Sequence, residues 1–186
     1  MRRPLLFVAL AVASAGILGA ADTVLELDPA MTEIHLTLHD VLHTVHGSFK
    51  LKRGTLRLDP DSNRAAGEIV VDVASGNTGS GARDKRMHRE ILESQKYPEA
   101  VFVPDRVEGR LAAEGESQLA VHGVFRIHGA EHELTLQVQV QAQPDRYVAT
   151  CVFEIPYVKW GMKNPSNFLL KVDDKVAMAI QTVARR

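Results

Sequence analysis

The chain has 186 residues, 24% of them charged, with 22 Lys and Arg against 23 Asp and Glu and a formal net charge of −1. Such a balance excludes the basic surface that nucleic-acid phosphates demand, so no nucleic-acid partner is expected. Cys151 is the single cysteine, which excludes an intramolecular disulfide and leaves the fold to be held by its core.

The opening residues, MRRPLLFVALAVASAGILGAADT, place Arg2 and Arg3 before an uncharged apolar run that ends in Gly19, Ala20 and Ala21. That order predicts a secretory signal peptide over residues 1–20, cleaved after Ala20 or Ala21, and one domain over 21–186. An uncleaved anchor is the alternative, but a run of about 17 residues is at the short limit for a spanning helix and no basic stop-transfer segment follows. Loss of Arg2 and Arg3 takes the formal charge to about −3, further from a nucleic-acid binder.

Period-two alternation then dominates. Ile34, Leu36 and Leu38 oppose His35, Thr37 and His39; Val45, Phe49 and Leu51 flank Gly47; and Ile69, Val71 and Val73 oppose Asp72. Each set predicts a strand with one buried face. The segment RDKRMHREILESQKYP breaks the pattern: Asp84 as N-cap, Met87, Ile91 and Leu92 on one side, and Pro98 as terminator predict a single amphipathic helix. At roughly a dozen residues it is marginal alone and must dock its apolar stripe, most naturally on an open barrel end, leaving Lys85, Arg89 and Glu93 in solvent and Arg89–Glu93 spaced for an i,i+4 pair. Alternation resumes with Leu119, Val121, Phe125 and Ile127 against His122, Arg126 and His128, and with Leu134, Leu136, Val138 and Val140 against Thr135 and the glutamines; a tight turn at Gly129 makes these a β-hairpin. Tyr147, Ala149, Cys151, Phe153 and Ile155 form a further strand, and Val176, Met178 and Ile180 the last. The fold class is therefore all-β, a closed antiparallel barrel of about eight strands with one short helix at its mouth.

Chemistry-bearing motifs are sparse. His39, His43 and His46 lie close in sequence, but His43 and His46 have opposite strand parity, and His122, His128 and His132 fall on the wet side of the hairpin, so no metal site is expected. Ser48, Ser75 and Ser80 lack a strand-to-helix elbow, and Cys151 sits on an inward face where a thiol is a small hydrophobe, so no catalytic residue and no cofactor is expected. Asp59 with Asp61, and Asp173 with Asp174, are explained by turns. The basic cluster at Arg83, Lys85, Arg86 and Arg89 is read first as a charged helix face. The sharper alternative has Arg83 or Lys85 meeting an anionic headgroup while Asp84 caps the helix.

The order and spacing of several pieces resemble the YceI-like, polyisoprenoid-binding family of bacterial proteins: Gly47-Ser48-Phe49, the Arg83-Asp84 step, the Lys96-Tyr97-Pro98 passage into a strand and the His128-Gly129 hairpin turn; Trp160-Gly161-Met162 stands as a departure, where the family commonly has an aromatic or hydrophobic residue before Gly-Met or Gly-Ile. The resemblance implies a lipocalin-like barrel exported to the periplasm that holds a long isoprenoid, such as a polyprenyl phosphate or a quinone tail; transient membrane contact and a homodimer are left open. The inward residues Phe49, Val71, Val121, Phe125, Leu136, Val138 and Phe153, with Phe102 and Trp160 near the ends and Arg83 and Asp84 beside the helix, are the candidate ligand contacts. Two rivals stand beside this reading: a filled barrel serving as a stress-related interaction module, and a hydrolase or isomerase using the same interior.

Overall fold

In the computed structural model, which describes residues 23–59, 61–168 and 170–185, nine strands form one closed antiparallel sheet: β1 (Thr23–Leu27), β2 (Glu33–His39), β3 (Thr44–Asp59), β4 (Arg64–Asn77), β5 (Glu99–Glu108), β6 (Gly115–Ile127), β7 (Ala130–Ala142), β8 (Arg146–Ile155) and β9 (Val176–Arg185). Nine strands fill eight positions. Both β1 and β2 pair with β3 and with β9, β1 against the lower half (Thr23 opposite Leu58) and β2 against the upper half (Ile34 opposite Phe49). A single 3-10 turn, Pro29–Met31, with Asp28 accepting from the Ala30 amide at 2.9 Å, separates them. The remaining neighbours are consecutive in sequence, so the barrel is an up-and-down meander with no free edge.

The predicted inner faces are the observed ones. In β6, Leu119, Val121 and Phe125 are buried, and in β7 Leu134, Leu136 and Val138 point inward between exposed glutamines. The long strand β3 changes parity partway, because a register shift between Leu51 and Arg53 sets Lys52 and Arg53 both outward and turns Leu56 and Leu58 in. Outside this bulge Arg53 stands opposite Val70, and its guanidinium reaches Glu68 at 2.8 Å and Glu99 at 3.7 Å while Lys52 meets Glu99 at 2.7 Å. The ionic net closes over Val70, an outward residue that is nonetheless 0% exposed.

The strand directions define two ends. The upper end carries the β2–β3 turn 40–43, the β4–β5 connection 78–98, the β6–β7 turn at His128 and Gly129, and the β8–β9 loop 156–175. The hairpin turn has positive φ at both residues, 53° and 77°, as a type I′ turn requires. The helix α1 (Gly81–Arg86) lies in the 78–98 connection and continues as one π-type turn, Met87–Ile91. Among the described residues no helix is long and apolar enough to cross a membrane. The predicted signal peptide lies outside the described residues.

The helix limits differ from those expected. Its N-cap is Ser80, not Asp84, and it stops at Leu92 because Glu93 takes a left-handed conformation, φ 44°. Arg89 pairs with Glu90 rather than Glu93, and Glu93 instead meets His128 Nε2 at 2.7 Å. The apolar stripe docks as expected, with Met87, Ile91 and Leu92 facing the barrel interior.

Candidate functional site

A cavity of about 450 Å³ opens at the upper end, and a second of about 150 Å³ lies beneath it. The walls of the upper one are almost wholly apolar: Leu36, Val73 and Met178 from the strands, Met87, Ile91 and Leu92 from the helix segment, and Met162, Leu170 and Val172 from the β8–β9 loop. Five side chains, Ile34, Val71, Phe125, Phe153 and Ile180, line both spaces and form a waist between them. Polar groups are confined to the rim, where His39, Asp40, His43, Arg83 and Arg86 line the opening with Thr78.

The candidate residues divide by position. Phe49 and Arg83 line the upper cavity; Val71, Phe125 and Phe153 stand at the waist; Phe102, Val121, Leu136 and Val138 line the lower cavity. Asp84 and Trp160 line neither. Asp84 Oδ1 accepts from the Thr78 amide at 2.8 Å and its hydroxyl at 2.6 Å, and those bonds, with Arg83 close by, hold its carboxyl below the usual range. Arg83 completes the knot, donating Nε to Thr78 Oγ1 at 2.7 Å and Nη2 to the Thr78 carbonyl at 2.9 Å. The Arg83-Asp84 step thus ties the first helical turn to the end of β4. Arg86, beside the rim, donates to the Pro165 carbonyl at 3.2 Å and so joins helix to loop.

Trp160 packs from outside the cavity, stacked on His132 at 4.1 Å and tilted against Phe125 at 5.9 Å. His132 shares the inward parity of Leu134, contrary to the wet-side expectation; among the described residues its Nε2 has no hydrogen-bond partner, and burial pushes its pKa down. Sequence periodicity missed the loop 156–175. It is strapped by Tyr157, whose hydroxyl donates to the Asp173 carbonyl at 2.6 Å, and by Ser166, whose Oγ accepts from the Val172 amide at 2.8 Å. Its signals in sequence are the Trp160-Gly161-Met162 step and apolar residues such as Met162, Leu170 and Val172 set without strand or helix period.

The helix is seated by His88, whose Nε2–H donates to the Gly76 carbonyl at 2.8 Å, leaving Nδ1 to accept from the Ser94 hydroxyl at 3.1 Å. Close approach requires glycine there: a Cβ on Gly76 would stand 2.6 Å from Phe49 Cε1 and 2.9 Å from Met87 Cε. Among the described residues no three His, Cys, Asp or Glu side chains gather as a metal ion would need.

The two ends differ in charge. In the upper connections Arg83, Lys85, Arg86, Arg89 and Lys96 exceed Asp84, Glu90 and Glu93 by two; Lys159, Lys163, Lys171 and Lys175 exceed Asp173 and Asp174 by two; Asp40 subtracts one, for a formal +3. The lower connections 60–63, 109–114 and 143–145 carry Asp61, Glu114 and Asp145 against Arg110, a formal −2.

A closed antiparallel barrel with an apolar interior reached from one end defines the lipocalin-like architecture. The YceI-like domain family matches residues 25–184, and the chain belongs to it. Among solved structures, a polyisoprenoid-binding domain from Saccharophagus degradans implicated in plant cell wall breakdown superposes with a TM-score of 0.70 at 16% identity, covering 87% of this chain and 97% of that one. Burkholderia cenocepacia BcnA gives 0.71 at 19% identity, covering 84% and 98%, and the Campylobacter jejuni YCEI protein gives 0.64 at 18%, covering 78% and 86%. At these identities the likeness is one of fold. No curated protein sequence matches the chain.

Proposed function

We propose that this protein is exported to the periplasm and there holds an amphiphilic isoprenoid-like lipid, a polyprenyl phosphate or an isoprenoid quinone, inside the barrel for carriage or sequestration, with no covalent step. The observation that carries the reading is the apolar cavity of about 450 Å³ with its polar side chains confined to the rim. A tail enters the dry interior while a headgroup stays at the mouth beside Arg83 and Arg86. The polyisoprenoid-binding description of the Saccharophagus degradans domain supports the ligand class, and the charge and apolarity of residues 1–20 support export. An open, unfilled interior counts against the filled-module rival.

Burial at about 0.8 kcal/mol per methylene would give a long tail an unattainable affinity if water were its only other home. Such a lipid resides in a membrane, already dry, so the net gain on transfer is small and headgroup and pocket shape decide uptake. Native mass spectrometry of the protein purified from the periplasm, compared with a denatured aliquot, tests the reading. An adduct of isoprenoid mass that is lost on denaturation is expected; a protein that is bare as isolated and stays bare after incubation with polyprenyl phosphate and with quinone sinks it. Replacing Arg83 and Arg86 by alanine is expected to weaken uptake of the phosphate more than of the quinone.

A further inference from the structure

Two loop tips at the upper end expose large apolar side chains. Val41 and Leu42, at the tip of the β2–β3 turn, are 65% and 70% exposed, and Phe168, in the β8–β9 loop, is 101% exposed. The tips are held side by side: the Val41 amide donates to the Lys171 carbonyl at 3.2 Å, the Asp173 amide to the His39 carbonyl at 3.0 Å, and Asp40 bridges Val172. Neither tip is a loose end. Asp40 Oδ1 accepts from the amides of Leu42 and His43 at 2.8 and 2.7 Å, and the turn under Phe168 is closed by Asn167, whose amide donates to the Leu170 carbonyl at 2.9 Å and whose Oδ1 accepts from the Leu170 amide at 2.8 Å.

Folding has thus fixed three apolar side chains in water, at a cost, around the opening of the cavity. They project from the end whose connections sum to +3, while the opposite end sums to −2. Apolar tips inside a basic surround match one partner in both respects, a bilayer with anionic headgroups, which takes the tips below the headgroup level and draws the cations to its surface.

We propose that the upper end is a membrane-docking face, on which Val41, Leu42 and Phe168 insert into an anionic lipid surface and bring the cavity mouth against it. The inference goes beyond the binding function and does not depend on it, because docking is read on the protein whatever its cavity holds.

Vesicle co-sedimentation tests it, using phosphatidylcholine alone and phosphatidylcholine with roughly 30 mol% phosphatidylglycerol. Binding is expected on the anionic vesicles, weak on the neutral ones, and diminished by added salt as the surface charge is screened. The double variant Leu42→Asn, Phe168→Ala is expected to lose about tenfold or more of the partition coefficient, as apolar side chains leave the interface. Val152, 72% exposed on the barrel wall, supplies the control: Val152→Asn removes an exposed apolar side chain away from the mouth and is expected to leave partition unchanged. Far-UV circular dichroism verifies that each variant is folded. Absence of binding to anionic vesicles, equal binding by the double variant, or an equal loss with Val152→Asn overturns the proposal. So does a dimer in sedimentation equilibrium that the double variant dissolves while the parent ignores vesicles, since the tips would then serve a second copy of the chain.

Discussion

Two buried protons weigh on the chain's stability in alkali. Cys151, inward on β8, has its thiol pushed by burial from 9.0 up to about 11, and Tyr157, under the β8–β9 loop, is pushed from 10.0 up to about 12 by burial and the nearby carboxylates of Asp174 and Asp173. In each case the folded state holds a proton that the unfolded chain releases at lower pH. The associated stability is therefore whole below about pH 9 and drains away as pH rises towards 12, by about 2 kcal/mol for each group. Urea midpoints at rising pH should fall in this window, and Cys151→Ala should flatten the first part of the fall; an unchanged slope in that variant would remove Cys151 from the account. Below pH 9 the native thiol should resist thiol-specific reagents until the chain is unfolded.

At the scale of elements, the helix segment is a separately fastened piece on a continuous sheet. His88 supplies two hydrogen bonds between it and its surroundings, to Gly76 and Ser94. His88→Ala is expected to reduce hydrogen-exchange protection at 81–92 by about tenfold. The barrel should lose only about 2–4 °C in Tm; a barrel that melts with the helix would contradict this division. The existence and inward stripe of the helix were legible in Met87, Ile91 and Leu92, whose spacing departs from the period of two around them. Its limits were not. Asp84 is a good N-cap by residue type, but the carboxylate is claimed by Thr78, and the stop is made by Glu93 in a conformation that sequence associates with glycine. Trp160 was singled out in the sequence, but its packing on His132 and the course of the strap 156–175 were not legible: both are set by contacts across the top of the barrel, and no local period reports those.

For the whole molecule, closure was legible because one apolar face per strand, repeated about eight times, has no other way to be covered. Phe49, Val71, Phe125 and Phe153 were correctly read as inward by parity alone. Which of them line the upper cavity and which the waist depends on height along the barrel, and that follows from register and the β3 bulge. The charge difference between the ends was equally hidden, since residues 83–96 and 159–175 meet only once strand directions are known. The cavity sizes carry a prediction: a finite interior, about 450 Å³ above the waist and about 150 Å³ below it, takes a tail only up to a limiting length. Affinity in a competition series of increasing tail length should climb to that point and then level off. Continued steep gain with longer tails would mean that the waist at Phe125 and Phe153 gives way.

The shared position of β1 and β2 has a consequence for how the chain is made. The seam joins them to β9, and across it Thr32 Oγ1 and Thr182 Oγ1 lie 2.7 Å apart although 150 residues separate them in the chain. During synthesis the early strands present an open edge for as long as β9 has not emerged, and no enclosed interior exists to receive a ligand. Sealing this long loop is the slow kind of step in folding. The nascent chain is consequently an unsealed sheet with sticky margins, and it depends on timely completion, or on a chaperone, to avoid pairing with its neighbours.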